Sequence, residues 1–352
     1  MSDRNRRVVL AERPTGMVDE RTTRLEEAEV PAPGPGEALA RVRYISIDPT
    51  IRTWMNDAPG YLPLIAIDEV VRSGGVAEVL ESNSERYAPG DLLFGMTGWQ
   101  DYVIADEGAR ALQALPPGIS PTAALGVFGI TGMAAYFGLT DVGAVKEGDV
   151  VVVSGAAGAT GSTAGQIARI KGAAKVIGIA GGPQKCAWIV EELSFDEAID
   201  YKAGDIGAGL REAAPAGIDL YFDNVGGPIL DACLGQLALR GRVVLCGAIS
   251  SYNARGGASG RQLLDADHPA RAHGGLHHPR LLRPLPAGAG RDGRVAGLGR
   301  DQVGRAHRRG PRARARRPQP AVHGRQHRQG DRQGLRRAER PAGAGLVGAL
   351  RA

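Results

Sequence analysis

The sequence predicts an α/β chain in two parts: an antiparallel, barrel-like domain of short strands, then a doubly wound parallel sheet of the nucleotide-binding type. Three observations carry this reading. Residues 1–110 hold short apolar runs broken by Pro and Gly, residues 148–250 alternate apolar strands with helical segments, and a glycine-rich turn joins the first of those strands to its helix. A chain of 352 residues with 43% hydrophobic content is long enough to bury two such cores. That length and composition exclude a disulfide miniprotein, a collagen-like repeat and a wholly disordered chain.

Residues 255–352 stand apart. They hold 22 Arg, no Lys and 6 acidic residues; no Phe, Trp, Tyr, Met or Ile follows Tyr252, and all 7 His lie between His268 and His327. The net charge of +5 therefore averages two unlike parts, about −11 for residues 1–254 and about +16 for the remainder. A segment without aromatics or Ile cannot build a close-packed core, so this last quarter is expected to be irregular or disordered.

Taken in order, the runs RVVLAERP, EALARVRYISIDP, GVAEVLES, GDLLFGM and QDYVIAD read as strands of the first domain, residues 1–120. The apolar, Ala- and Gly-rich stretch 120–139 starts at Ser120 as N-cap with Pro121 at the first helical position, and predicts helix carried across the domain boundary. From Gly148 the pattern becomes GDVVVVSG, a helix over 162–171 stopped by Gly172, KVIGIA, a helix near 185–193, then AIDY, IDLYFDNVGG and RVVLCGAIS. Continuous apolar strands separated by helices mean a parallel sheet covered on both faces, here residues 121–254.

The chemistry centres on the turn after the first parallel strand, Gly155-Ala156-Ala157-Gly158-Ala159-Thr160-Gly161-Ser162, which runs directly into a helix. Glycine serves where the chain turns sharply and where backbone must approach a pyrophosphate, and free N–H groups at the helix start attract the phosphate charge. Ala156 stands in place of the first glycine of G-x-G-x-x-G, and a Gly/Ala-rich turn without a ligand is the competing reading. At the end of the second strand an acid would hold a ribose 2′-hydroxyl. The residues there are Gly181-Gly182-Pro183-Gln184-Lys185, without a carboxylate and with a cation suited to a 2′-phosphate. This favours NADP(H) over NAD(H), against the plainer reading of Lys185 as a solvated helix-start lysine. The first 185 residues contain neither Cys nor His, which excludes a zinc alcohol dehydrogenase mechanism.

The three cysteines, Cys186, Cys233 and Cys246, have no paired spacing, the start MSDRNRRVVL carries no apolar signal core, and no run of 18 apolar residues occurs. A cytoplasmic protein without a membrane span is expected.

As an ordered set, Ser46-Ile47-Asp48-Pro49 with Arg52, GVFGITGMAAYFGL, SGAAGATGSTAGQIARIKG, IAGGPQKCAWIVEEL, AIDYKAG, YFDNVGG and CGAISSYN resemble the zinc-free medium-chain dehydrogenase/reductases. The nearest resemblance is to the leukotriene B4 dehydrogenase/prostaglandin reductase and curcumin reductase group, and it covers about residues 8–254. It implies a GroES-like β-barrel domain beside a Rossmann-type domain, and NADPH-dependent reduction of the C=C bond of α,β-unsaturated ketones or aldehydes. Carried over by position, Gly158, Ala159, Thr160, Gly161 and Ser162 would cradle the pyrophosphate, and Lys185 and Tyr201 would hold the 2′-phosphate. Asn224 with Cys246, Gly247, Ala248, Ile249 and Ser250 would line the nicotinamide. Tyr252 would also border it and hydrogen-bond the substrate carbonyl or protonate the enolate; without the family it reads equally as a strand-end aromatic at the domain seam. Thr50 departs from the family's aromatic residue after Asp-Pro. The resemblance also implies a homodimer, were the C-terminus in frame.

The genetic code explains the break after Asn253. Read from the second base of each codon, residues 271–280 permit ARMEGFIILD and residues 318–334 permit LNRLFTGDNIGKVIVKV, both family segments in the right order and in one shifted frame. A single-base insertion or deletion, or a sequencing error, between about codons 253 and 270 is therefore expected, and Arg, Gly, Ala, Pro and His are what a GC-rich gene yields out of frame. Two other readings stand beside the enone reductase. One is a quinone reductase of the same superfamily. The other is an inactive nucleotide-binding protein whose basic tail binds nucleic acid, although the tail lacks the aromatics and histidine spacing of a specific nucleic-acid binder.

Overall fold

Alternating apolar and polar residues build the first part of the chain. Strand β1 (Arg4–Leu10) pairs antiparallel with β2 (Thr23–Glu29). Strand β3 (Ala38–Ile45) leads to the single helical turn α1 (Ile51–Trp54), followed by β4 (Gly74–Ser82), β5 (Leu92–Met96), β6 (Tyr102–Ala105) and β7 (Gln113–Ala114). The last five strands form one antiparallel sheet in the order β6-β3-β4-β5-β7, joined to the β1-β2 hairpin by bridges at Arg7 with Gln100 and Val9 with Val70. The computed structural model describes residues 4–57, 62–108 and 112–254, all within one compact unit. The expectations for residues 255–352, including the irregular tail and the shifted frame, lie outside the described residues.

Strand β2 has no counterpart among the predicted strands, and its composition shows why. The segment TRLEEAE has one large apolar residue, Leu25, which is 65% exposed. It is a strand because β1 offers it a backbone ladder and Arg7 pairs with Glu26 across it.

The stretch 120–139 is two helices rather than one. Helix α2 (Pro121–Leu125) begins as expected, with Ser120 Oγ accepting the Ala123 N–H and Pro121 at the first position. Gly126 and Gly129, poor helix formers, then interrupt the chain. Helix α3 (Ile130–Phe137) restarts and passes into a π-helical turn, Gly138–Val142. The two halves have different partners: α2 lies against β3, β4 and β5, and α3 against the first helix of the parallel sheet.

That sheet is assembled from β8 (Val150–Ser154), α4 (Ala159–Ile170), β9 (Lys175–Ala180), α5 (Pro183–Glu191) and β10 (Glu197–Asp200). It continues with α6 (Ile206–Ala213), β11 (Ile218–Asp223), α7 (Gly227–Leu234) and β12 (Leu237–Leu245). All pairings are parallel, in the order β10-β9-β8-β11-β12. Residues on each strand alternate between two buried faces. Val151, Val153, Leu220 and Phe222 pack with Ala135, Ala164 and Ala168 on one side; Val152, Ile177, Tyr221 and Val243 pack with Leu210, Ile229 and Cys233 on the other. Chain order reverses between β8 and β11, so the carboxyl ends of those two strands open a crevice, the place where ligands bind in open α/β sheets.

Candidate functional site

The crevice is floored by the turn after β8. Gly155 has φ +58°, in the left-handed region, and its carbonyl accepts the N–H of Gly158 at 2.9 Å. Helix α4 then starts with Gly158 as N-cap and no side-chain cap, so its first N–H groups are not taken by a capping side chain. A Cβ on Gly161 would lie 2.3 Å from the Gly155 carbonyl oxygen, so the helix start presses on the turn in a way only glycine permits. Gly158 and Ala159 are exposed, and Thr160 and Ser162 half-buried, along this rim. Ala156, the departure from the glycine fingerprint, points the other way: it is fully buried and belongs to the sheet core. Its methyl occupies core space and takes none from the crevice.

A second corner forms where β9 and β10 end. A Cβ on Gly181 would lie 2.7 Å from the Tyr201 ring, so the ring is laid against the Gly181 backbone. Lys185 is exposed in the first turn of α5, which also lacks a side-chain cap at Gly182. Lys185 and Tyr201 thus border the same corner. Two residues absent from the sequence expectations join them. Asp200 Oδ1 accepts the backbone N–H of Gly182 at 2.8 Å and of Lys202 at 2.9 Å, and these bonds hold its carboxyl below the usual carboxylate range. Lys202 Nζ stands 6.0 Å from the centre of the Tyr201 ring. No acid ends β9, as the sequence indicates, but a carboxylate from β10 reaches the corner and spends one oxygen on backbone. The triplet Asp200-Tyr201-Lys202 at the end of the third strand was the available signal.

The opposite wall comes from β11 and the segment after β12. Asn224 donates its N–H to Ser154 Oγ at 2.9 Å and its Nδ2–H to the Ser154 carbonyl at 2.7 Å, tying the end of β11 to the end of β8. The Asp223 carbonyl accepts the N–H groups of Cys246 and Gly247. Ile249 N–H donates to the Asn224 carbonyl, and Ser250 donates its N–H and its hydroxyl to the Val225 carbonyl. Tyr252 closes the segment, its hydroxyl accepting the Ala248 N–H at 3.3 Å. The structure therefore brings Asn224, residues 246–250 and Tyr252 onto one wall, linked through Ser154 to the glycine turn. Asp223, whose side chain is fully buried under this wall, was missed by sequence reasoning.

In the first domain, Ser46 Oγ donates to Asp48 Oδ2 at 2.6 Å. Arg52 is 8% exposed and donates to the carbonyls of Pro14 and Gly16 and to Asn56 Oδ1, fastening the turn that carries Thr50. A recess of about 290 Å³ beside β10 and α6, lined by Glu197, Ile199, Gly209 and Glu212 among others, holds none of the crevice residues. Among the described residues, no group of three or more His, Cys, Asp or Glu side chains could hold a metal ion.

Two family models match in chain order: an N-terminal domain of oxidoreductase over residues 6–113, and a zinc-binding dehydrogenase domain over residues 159–265. An NADPH-dependent curcumin reductase of Escherichia coli is 45% identical over 251 residues, 71% of this chain and 72% of that one. The chain belongs to the zinc-free medium-chain dehydrogenase/reductases. A further member, the NADP(+)-dependent 2-alkenal reductase of Nicotiana tabacum, is 36% identical over 255 residues, 71% of this chain and 74% of its own. The CurA protein of Vibrio vulnificus, crystallised in complex with NADPH, superposes with a TM-score of 0.68 at 43% identity, covering 74% of this chain and 77% of its own.

Proposed function

We propose that the protein is an NADPH-dependent oxidoreductase that reduces the C=C bond of α,β-unsaturated ketones or aldehydes without a metal. The observation that carries this is the crevice itself: an uncapped helix start over a turn that excludes a side chain at Gly161, with Lys185 and Tyr201 at its far corner. Such a cradle fits a dinucleotide with a 2′-phosphate. Residues Gly158, Ala159, Thr160, Gly161 and Ser162 would cradle the pyrophosphate, the N–H groups of Gly158 and Ser162 being spent on the Gly155 and Gly158 carbonyls and those between them left to the ligand, while Lys185 and Tyr201 would hold the 2′-phosphate. Asn224 with Cys246, Gly247, Ala248, Ile249 and Ser250 borders the nicotinamide. NADPH, when bound, supplies the hydride that the β-carbon of the substrate receives. The Tyr252 hydroxyl donates a hydrogen bond to the substrate carbonyl oxygen, where negative charge collects, and a proton from Tyr252 or from water converts the enolate to the saturated product. The N–H that Ala248 gives to the same hydroxyl polarises it and makes it a stronger donor. The relatives named for curcumin and 2-alkenal reduction support this substrate class. NADPH oxidation with an alkenal, an enone and a quinone tests it: turnover of the first two is expected, and turnover of the quinone alone would replace this reading with a quinone reductase.

Zinc independence rests on ligands: the first Cys is Cys186 and the first His is His268. A cytoplasmic location rests on three free cysteines; no helix among the described residues is long and apolar enough to cross a membrane. The boundary expected between residues 1–120 and 121–254 moves, in this reading, to the glycine turn between α2 and α3, because α2 packs against β3, β4 and β5.

The shifted frame belongs to the same proposal. It is supported by the two codon readings, by a family match that ends at residue 265, and by an alignment to the curcumin reductase that leaves a similar fraction of both chains unmatched. Resequencing codons 253–270 and assaying a frame-restored chain beside this one test it. Residues 255–352 as written are expected to impair the enzyme, so higher turnover of the frame-restored chain, together with dimer formation, is expected; equal turnover in both chains overturns that expectation. Salt-sensitive nucleic-acid binding lost on truncation at Asn253 would instead give the basic tail a role of its own.

A further inference from the structure

The side chain of Asp223 is fully buried, yet none of the groups that bond it is a cation. Its Oδ1 accepts the Ser154 hydroxyl at 2.8 Å, the Tyr221 hydroxyl at 2.6 Å and the N–H of Val225 at 3.0 Å; the Gly226 N–H reaches both carboxylate oxygens, at 3.0 and 3.1 Å. Ser154, Tyr221 and Asp223 are all 0% exposed. Every partner is a donor aimed at the carboxylate, which lies in the turn that leads into α7. Burial, with Cys233 and the carboxylate beside it, pushes the Tyr221 hydroxyl well above its ordinary pKa, so it remains a donor throughout the physiological range.

These bonds fix more than a helix end. Ser154 ends β8 and leads into the glycine turn; its hydroxyl donates to Asp223 and accepts the Asn224 N–H. The backbone carbonyls of Asp223, Asn224 and Val225 hold the segment 246–250. One buried carboxylate thus joins the cradle at the end of β8 to the wall that carries Tyr252. The Gly181–Tyr201 corner is not among its partners.

We propose that Asp223 is a positioning residue for the nicotinamide half of the cofactor, setting the 224–226 turn and the 246–252 segment relative to the glycine turn; this rests on the cofactor reading above. It touches neither cofactor nor substrate in this role. A carboxylate that only closed the 223–226 turn would contribute stability and make no distinction between the two halves of the ligand.

The test uses the full chain and two ligands: NADPH, followed by its fluorescence on binding, and 2′,5′-ADP, which carries the adenosine end and lacks the nicotinamide, measured by competition. Asp223→Asn places an amide N–H₂ among donors, and is expected to weaken NADPH by about tenfold or more while 2′,5′-ADP changes by less than about twofold. Ser154→Ala removes one spoke and the acceptor for Asn224 with little change in volume, and is expected to shift NADPH selectively by about threefold to tenfold. It keeps the test alive should Asp223→Asn fail to fold. Equal weakening of both ligands, or none, in Ser154→Ala overturns the positioning role. A wild-type chain that binds 2′,5′-ADP but gains nothing from the nicotinamide half also overturns it, while a wild-type chain that binds neither ligand overturns the cofactor reading beneath it.

Discussion

Asp200 and Asp223 end two strands of one parallel sheet, β10 at its edge and β11 within it, and use the same group in opposite ways. Asp200 is half-buried at the end of β10 and binds two backbone N–H groups, from Gly182 and Lys202, that lie within 20 residues of it. Asp223 is fully buried at the end of β11 and is bonded by Ser154, 69 residues earlier, as well as by its own turn. The first carboxylate shapes a local corner; the second holds together strands that meet only when the sheet closes. Under the proposed cofactor reading, the two halves of the dinucleotide would rest on two kinds of support, one set by local chain geometry and one dependent on tertiary structure.

The comparison breaks most completely at the element the two ends share. A side chain at Gly161 would strike the Gly155 carbonyl, so Gly161→Val is expected to weaken NADPH and 2′,5′-ADP alike by about a hundredfold in fluorescence titrations. Selective loss of one ligand would mean that the turn serves only one end. Next in size, Tyr252→Phe in the frame-restored chain is expected to lower kcat for an enone by about tenfold to a hundredfold with NADPH affinity unchanged. An unchanged kcat would remove Tyr252 from the chemistry and leave it as packing.

The same division explains what the sequence disclosed. The turn 155–162 was legible because its demands are local: a sharp bend, a close approach at Gly161, and a helix start. The parallel strands were legible because burial on both faces leaves continuous apolar runs such as Val150–Ser154 and Lys175–Ala180. Strand β2 was not, since TRLEEAE becomes a strand through its pairing with β1 and carries little apolar pattern of its own. Nor was the break in 120–139, where the apolar pattern continues although α2 packs against the antiparallel sheet and α3 against α4. Asp223 was hidden for the same reason as β2: nothing adjacent in sequence announces that Ser154 will lie beside it.

The corner proposed for the adenosine end supplies the smaller effects. Lys185→Ala is expected to reduce the preference for NADPH over NADH by about tenfold, read as the ratio of the two affinities, because the corner then loses a charge suited to a phosphate dianion. Asp200→Asn should be milder still, about twofold to threefold on 2′,5′-ADP, since an amide oxygen can still accept from Gly182 and Lys202. Its pH dependence has a definite sign. The folded-state pKa of Asp200 is lowered, so its contribution to stability is fully present above the ordinary carboxylate value of about 4 and is lost as the pH falls through the lower folded value. The difference in Tm between wild type and Asp200→Asn should therefore stay constant from about pH 8 to about pH 5 and close below about pH 4. A difference that grows on acidification would mean that the carboxyl is strained in its charged form, and that the corner is built around the Lys202–Tyr201 contact instead.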